Sequence, residues 1–508
     1  MSVAQRGAPN GTAAMTQDLP EYRSARALAG ALTRGELSSR DLLERFLARI
    51  DRLNPALNAV VAFDRENARR AADAADAAQR RGEARGALHG LPLTVKDTYE
   101  VPGMPCTAGA PRFRDHLPKA PALAVRRLQE EGAIVFGKTN VPFMASDLQS
   151  YNKIYGVTNN PWDRRLTSGG SSGGAAVALA AGFTPLELGS DIGGSIRIPA
   201  HFCGVYGHKP THGIISLRGH IPGPPGVRLE PHLAVAGPMA RTADDLDLML
   251  DLVAGDVPSL SPGWRLALPP ARHDTLKEFR VLLWLDDPQC PIDEHMQTVY
   301  RELRRALEQA GASVDVGAPA GFDLDRLYPP YVTQLTASAL AGMPGMQRRL
   351  MNLVAPVVRK AGEWLDTPAH ADRFLEGAGL SHAAWLASAD RAARLREKFV
   401  AAFEKYDVIL APPALTTAFA HDHSPALGVR KLTVNGVRRH YTDMFMWIAP
   451  ATLLGLPATS APVGFTEAGL PVNVQVIGAP YEDKTTIRFA ALLEQVIGGF
   501  RVPPLAGD

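Results

Sequence analysis

Between residues 38 and 53, apolar side chains recur at Leu42, Leu43, Phe46, Leu47, Ile50 and Leu53, the spacing that lines one face of an α-helix. Ser38 and Asp41 give this run a capping-box-like start. The Ala-rich residues 65–81 predict a second, more exposed helix. The pattern then switches to period two at Leu91, Leu93 and Val95, which predicts a strand carrying Lys96 near its end. Further on, residues 133–136, 185–188, 281–285 and 408–410 read as strands, the last running into Pro412 and Pro413, and residues 174–181 and 295–309 read as helices.

Helices and strands alternating along the chain predict an α/β fold, with a large mixed, mostly parallel central sheet covered by helices on both faces. Residues 325–400 depart from the alternation. Strands vanish there and helical stretches carrying Met343, Met346, Met351, Trp364 and Trp385 take over, which predicts a mostly helical insertion or cap. No internal repeat or low-complexity tract marks a boundary, so residues 19–508 are expected to form one domain behind a loose polar tail of residues 1–18.

Composition narrows the function. Apolar residues make up 46% of the 508 and charged residues 21%, enough for a large core and far from a disordered chain. The 54 basic and 52 acidic side chains nearly cancel, which argues against nucleic acid or an anionic membrane as partner and favours a small-molecule substrate handled by a monomer or homodimer. No run of about 18 apolar residues predicts a membrane span. Cys106, Cys203 and Cys290 lie far apart without CxxC spacing, which disfavours a disulfide scaffold or zinc site and makes a reducing cytoplasm the expected compartment.

The densest chemical signal is Thr167-Ser168-Gly169-Gly170-Ser171-Ser172-Gly173-Gly174, followed by Asp191-Ile192-Gly193-Gly194-Ser195-Ile196-Arg197-Ile198-Pro199. Glycine and serine also build flexible linkers. A linker, however, is not usually followed at once by a buried-looking Ala-rich helix, nor matched by a second knot after a strand. Glycines such as Gly193-Gly194 can instead turn successive N–H groups inward to hold an anion, and a developing oxyanion is one such anion.

These residues resemble the amidase-signature hydrolases over most of the chain, from about residue 25 to 497. The resemblance rests on both knots and on Gly90-Leu91-Pro92-Leu93-Thr94-Val95-Lys96-Asp97, Gly137-Lys138-Thr139-Asn140, Thr158-Asn159-Asn160-Pro161-Trp162, Gly237-Pro238-Met239-Ala240-Arg241-Thr242, Leu456-Pro457-Ala458 and Gln475-Val476-Ile477-Gly478. It implies a catalytic set of Lys96, Ser171 and Ser195, no metal and no organic cofactor, and structural roles for Lys138 and Lys209. It also implies support around the nucleophile from Ser172, Asp191 and Arg197. Pocket candidates carried over in the same way are Phe143, Met144, Ala145 and Ser146, with Phe445, Met446, Trp447 and Ile448.

The trio also makes physical sense. A serine hydroxyl needs a nearby base during attack, and a lysine can be that base only when burial lowers its pKa. Ser171 would pass the proton between Ser195 and Lys96, and the N–H groups of Ile192, Gly193, Gly194 and Ser195 would hold the oxyanion. The reaction expected is hydrolysis of a small-molecule amide, or of an ester or carbamate by the same acyl-enzyme route. The other reading is the amidase subunit of a tRNA-dependent amidotransferase, whose chemistry is the same. Competing motifs fare worse: GxSxG occurs twice around Ser171 and Ser172 but follows a loop-like Asn160–Arg165 stretch instead of the strand a nucleophile elbow needs, and Ser150-x-x-Lys153 runs into turn residues instead of opening a helix.

Overall fold

The computed structural model describes residues 19–221, 225–255, 257, 261–361, 364 and 366–507. The expected loose tail, residues 1–18, lies outside the described residues. The first amphipathic helix spans Ser39–Leu57, and the Ser38 hydroxyl accepts the Asp41 N–H at its start (3.1 Å). Leu42, Leu43, Phe46, Leu47 and Ile50 are buried, so the apolar face read from spacing is the one that packs. The second helix, Arg65–Arg80, buries only Ala68 and Ala72, as its polar composition demands.

Eleven strands carry the architecture: β1 (Val60–Phe63), β2 (Pro92–Lys96), β3 (Ile134–Thr139), β4 (Leu186–Asp191), β5 (Tyr206–Lys209), β6 (Val235–Ala240), β7 (Arg280–Leu283), β8 (Ser313–Val316), β9 (Val408–Ala411), β10 (Ala458–Phe465) and β11 (Pro471–Ile477). They form a three-stranded sheet, β1-β3-β2, and an eight-stranded sheet in the order β8-β7-β9-β11-β10-β5-β6-β4. Every residue of β2, β4, β6 and β11 is buried, the mark of strands covered on both faces. The three-stranded sheet lies beside β4: Thr94 on β2 donates its N–H to Thr184 Oγ1 (3.1 Å), and its hydroxyl meets the Glu187 carboxyl on β4.

The expected mixed α/β architecture is present, but the large sheet is not mostly parallel. Only β7 pairs in parallel, with β8 and with β9; β9-β11, β11-β10, β10-β5, β5-β6 and β6-β4 are all antiparallel. Alternating helices and strands suggest crossover units, yet β10 and β11 are joined by a short turn at Gly469 (φ 77°), and a hairpin can only be antiparallel.

Apolar side chains gather in two large clusters and a small one of Cys106, Ala108 and Ile221. One packs helices Ala25–Thr33, Ser39–Leu57 and Ala243–Val253 around β2, β3, β4 and β6; the other packs Glu294–Gln309 and the helical insertion around β7, β9, β10 and β11. Helix Arg197–Cys203 spans both, sending Ala200 and Cys203 into the first and Ile198 and Phe202 into the second. Over residues 325–400, the expected insertion, the described residues form helices Leu324–Ala339, Gly345–Ala361, Ala371–Ala378 and His382–Val400 and no strand. Its second helix turns a row of apolar side chains outward, with Met346 84%, Leu350 62%, Leu353 75% and Val357 61% exposed.

Candidate functional site

Lys96 is the last residue of β2 and is wholly buried. Its Nζ lies 2.7 Å from Ser171 Oγ, 2.9 Å from Ser190 Oγ and 3.4 Å from the Ser190 carbonyl. Burial pulls its pKa from 10.5 down to about 7, against the opposing pull of Asp191 and Glu187. A substantial fraction is therefore neutral near pH 7, the state in which an amine can take a proton. Glu187, also wholly buried, is pushed up by the same desolvation to about 8, with Thr94 and Thr139 hydroxyls against its carboxyl.

Ser171 belongs to the first glycine–serine knot, which runs straight into the buried helix Gly173–Ala180. Its glycines are there for close approach. A Cβ at Gly170 would sit 2.6 Å from the Asp147 carbonyl oxygen, and one at Gly174 2.3 Å from the Asn140 nitrogen. This packing rules out the linker reading. The Gly170–Ser171 peptide is cis.

The second knot lies between β4 and helix Arg197–Cys203. Ser172 ties the knots together: its N–H donates to the Ser195 carbonyl (3.1 Å) and its hydroxyl donates to the Ser190 carbonyl (3.4 Å). Asp191 organises the turn, with Oδ1 accepting from Gly194 N (2.9 Å) and Oδ2 from Ile196 N (3.1 Å). Arg197 grips the same carboxylate through Nη2 (2.9 Å) and Nε (3.1 Å), and reaches Thr452 Oγ1 (2.7 Å) and Gln475 Oε1 (3.0 Å). Burial works to raise the Asp191 pKa, but the guanidinium and backbone donors outweigh it and hold the carboxyl below its usual range. Both side chains are fully buried. Arg197→Ala would strand a buried carboxylate, so a loss of about 3–5 kcal/mol in stability is expected. A denaturant midpoint equal to that of the wild type would contradict this.

The expected oxyanion donors need one correction. The Gly194 N–H is engaged by Asp191, while the N–H groups of Ile192, Gly193 and Ser195 have no acceptor among the described residues. Gly194 has φ 86° and instead shapes the turn. Ser195 is 5% exposed, and its hydroxyl has no hydrogen-bond partner among the described residues. Thus Lys96 and Ser171 are in contact, and the Ser171 and Ser195 segments adjoin through Ser172, but no bond links the two hydroxyls directly.

The pocket candidates divide. Phe445 and Ile448 border the turn: a Cβ at Gly193 would meet the Phe445 ring at 2.9 Å, and one at Gly194 would meet Ile448 at 2.8 Å. Met446 and Trp447 are core, Trp447 packing edge-on against Trp284 and donating to the Cys290 carbonyl (3.0 Å). Phe143, Met144, Ala145 and Ser146 form an outward turn, Phe143 55% exposed, whose Met144 N–H bonds the Ala108 carbonyl; none bonds the lysine–serine set. A site residue that sequence reasoning missed is Tyr331, from the helical insertion, whose hydroxyl donates to the Ile192 carbonyl (3.0 Å). Nothing local marks it, because one aromatic on an amphipathic helix reads as core.

The remaining polar candidates are buried. Lys138 bonds Asp97 (3.3 Å) and the Tyr99 carbonyl (2.6 Å), and Lys209 bonds the Pro210 carbonyl (2.8 Å). Cys106 is buried, and desolvation raises its thiol to about 12, far from a reactive thiolate. Among the described residues no three His, Cys, Asp or Glu side chains gather as a metal site, and no helix is long and apolar enough to cross a membrane.

Comparison with known proteins shows the family of the chain. The family model described as Amidase matches residues 41–487. A glutamyl-tRNA(Gln) amidotransferase subunit from Anaeromyxobacter sp. (strain K) is 34% identical over 483 residues, 92% of this chain and 95% of the relative. Among solved structures, 6-aminohexanoate cyclic dimer hydrolase superposes with TM-score 0.75 at 26% identity, covering 96% of this chain and all of that one. The corresponding glutamyl-tRNA(Gln) amidotransferase chain from Thermotoga maritima superposes with TM-score 0.71 at 25% identity, covering 92% and 95%. The chain belongs to the amidase family, enzymes that act on carbon–nitrogen bonds other than peptide bonds.

Proposed function

We propose that the protein cleaves an amide C–N bond through an acyl-enzyme on Ser195, with Ser171 and Lys96 relaying the proton. The observation that carries this is the buried Lys96 amine, lowered to about 7 and 2.7 Å from Ser171 Oγ. Ser195 Oγ attacks the acyl carbon as its proton passes through Ser171 to Lys96. The Ile192, Gly193 and Ser195 N–H groups receive the oxyanion, and donors so placed are worth roughly 3–4 kcal/mol each. The proton returns through Ser171 to the leaving nitrogen, and water then releases the acyl group. Esters and carbamates fit the same route.

Two substrates suit this chemistry. The curated relatives favour the glutamine amide, with the chain as the amidase subunit of a tRNA-dependent amidotransferase, and this reading has the stronger comparative support. The outward apolar row Met346, Leu350, Leu353 and Val357 also supports a partner subunit, since monomers rarely leave such patches uncovered. A small-molecule amide with an apolar acyl group is supported by Phe445 and Ile448 against the Gly193–Gly194 turn, and by the likeness to 6-aminohexanoate cyclic dimer hydrolase. Three free, buried cysteines support a reducing, cytoplasmic setting.

Assays of the purified chain separate the two. Ammonia from glutamine only when amidotransferase partner subunits are added is the outcome expected of a subunit. Turnover of anilides, aliphatic amides, esters or carbamates by the chain alone, in a stable species without other subunits, assigns the small-molecule role. No turnover under either condition would sink amide hydrolysis altogether.

A further inference from the structure

We infer that Tyr331 is a positioning residue for the oxyanion site, acting from the helical insertion through the Ile192–Gly193 peptide. The inference rests on the acyl-enzyme reading above. The Tyr331 hydroxyl donates to the Ile192 carbonyl at 3.0 Å. In a trans peptide the carbonyl of one residue and the N–H of the next point in opposite directions, and the Ile192–Gly193 bond is not cis. A phenol that holds the Ile192 oxygen on one side therefore turns the Gly193 N–H to the other, where it lacks an acceptor among the described residues.

The surroundings make this a fixed contact. Tyr331 is wholly buried, and desolvation raises its pKa, so it stays a neutral donor. The missing side chain of Gly193 leaves room for the Phe445 ring, so a residue with a Cβ would push the turn off its seat. Helix Leu324–Ala339 is itself anchored: the Leu324 N–H donates to Asp287 Oδ2 (3.0 Å), Tyr328 Oη to the Thr442 carbonyl (3.1 Å) and Gln334 Nε2 to the Ser388 carbonyl (3.0 Å). On the other side of the turn, Asp191 fixes the Gly194 N–H. The two peptides of the Gly193–Gly194 turn are thus oriented separately, one by Asp191 from the knot itself and one by Tyr331 from the insertion. The insertion thereby acts on the chemistry as well as covering the core.

Tyr331→Phe removes one hydroxyl and little volume. It is expected to lower kcat on a nitroanilide about tenfold, less than the loss of a whole oxyanion donor, while KM stays within about twofold. Phenylboronic acid, which adds to a serine hydroxyl as an anionic tetrahedral mimic, should bind about tenfold more weakly. Tyr328→Phe removes one of the anchors of the same helix but leaves the Ile192 contact in place, and should weaken boronate binding far less than Tyr331→Phe. Equal losses in the two variants would assign the effect to helix packing and overturn the inference, as would an unchanged kcat and boronate affinity in Tyr331→Phe. A Ser195→Ala protein that still turns over substrate would instead refute the acyl-enzyme reading, whatever Tyr331 does.

Discussion

Ser195→Ala is expected to lower kcat by on the order of 10⁴-fold or more, with the fold intact. The hydroxyl that disappears makes no hydrogen bond among the described residues, whereas the Ser195 carbonyl, which accepts the Ser172 N–H, is untouched by the substitution. The turn should therefore keep its shape, and the N–H groups should keep whatever stabilisation they give an attacking water, the source of a small residual rate. Ser171→Ala should also be severely impaired, because it removes the hydroxyl through which Lys96 communicates. Steady-state rates on a nitroanilide, with circular dichroism to confirm folding, check both. A Ser195→Ala enzyme within about tenfold of wild type would contradict the assignment.

Lys96→Met separates activity from stability, moving the two in opposite directions. The relay needs the neutral amine, so kcat/KM of the wild type should fall as pH drops through about 7, where Lys96 takes up a proton. The variant should lose about 10²–10⁴ in rate and show no such limb. For stability the sign follows from where the unfolded chain holds more protons. Lys96 titrates at about 7 when folded and at its ordinary 10.5 when unfolded, so between these values the unfolded state binds the extra proton and stability rises with pH. The native protein thus carries a cost that is full below pH 7, at most ~5 kcal/mol, and vanishes as pH approaches 10.5. Methionine avoids it but leaves the Ser171 and Ser190 hydroxyls without their amine partner, at roughly 1 kcal/mol each. The net expectation is a variant more stable by about 2–3 kcal/mol at pH 6, with the advantage shrinking in alkali. Lys209 is likewise lowered to about 7, so only the difference between wild type and variant isolates Lys96. A variant less stable at pH 6 would show that Lys96 is not buried at such cost.

Much of this site could be read from the chain because its parts are local. The Lys96 strand is a period-two run, and the knots are short contiguous segments recognisable by residue type alone, although the contacts that demand their glycines, such as Gly170 against Asp147 and Gly193 against Phe445, come from distant parts of the chain. The Ser38-capped helix and the helical character of residues 325–400 were equally visible, since 3.6-residue periodicity needs no partner to be recognised. Sheet direction was not. The strands Ala458–Phe465 and Pro471–Ile477 are buried on both faces and hold no alternation to betray them, and their hairpin reverses the expected parallel order. The N–H of Gly194 could not be excluded from the oxyanion set without knowing where the Asp191 carboxylate points. Trp447 and Met446 look like pocket residues beside Phe445 and Ile448, because which of four adjacent side chains meets the Gly193–Gly194 turn is decided by tertiary packing. Tyr331 lies far along the chain from Ile192, and its role is set by tertiary packing alone.

The most direct test is intact mass and peptide mapping after a fluorophosphonate probe, which phosphonylates activated serines with loss of fluoride. One adduct is expected, on Ser195, abolished in Ser195→Ala and slowed in Ser171→Ala and Lys96→Met. An adduct on Ser171 with Ser195→Ala still active would place the nucleophile in the first knot and contradict the relay.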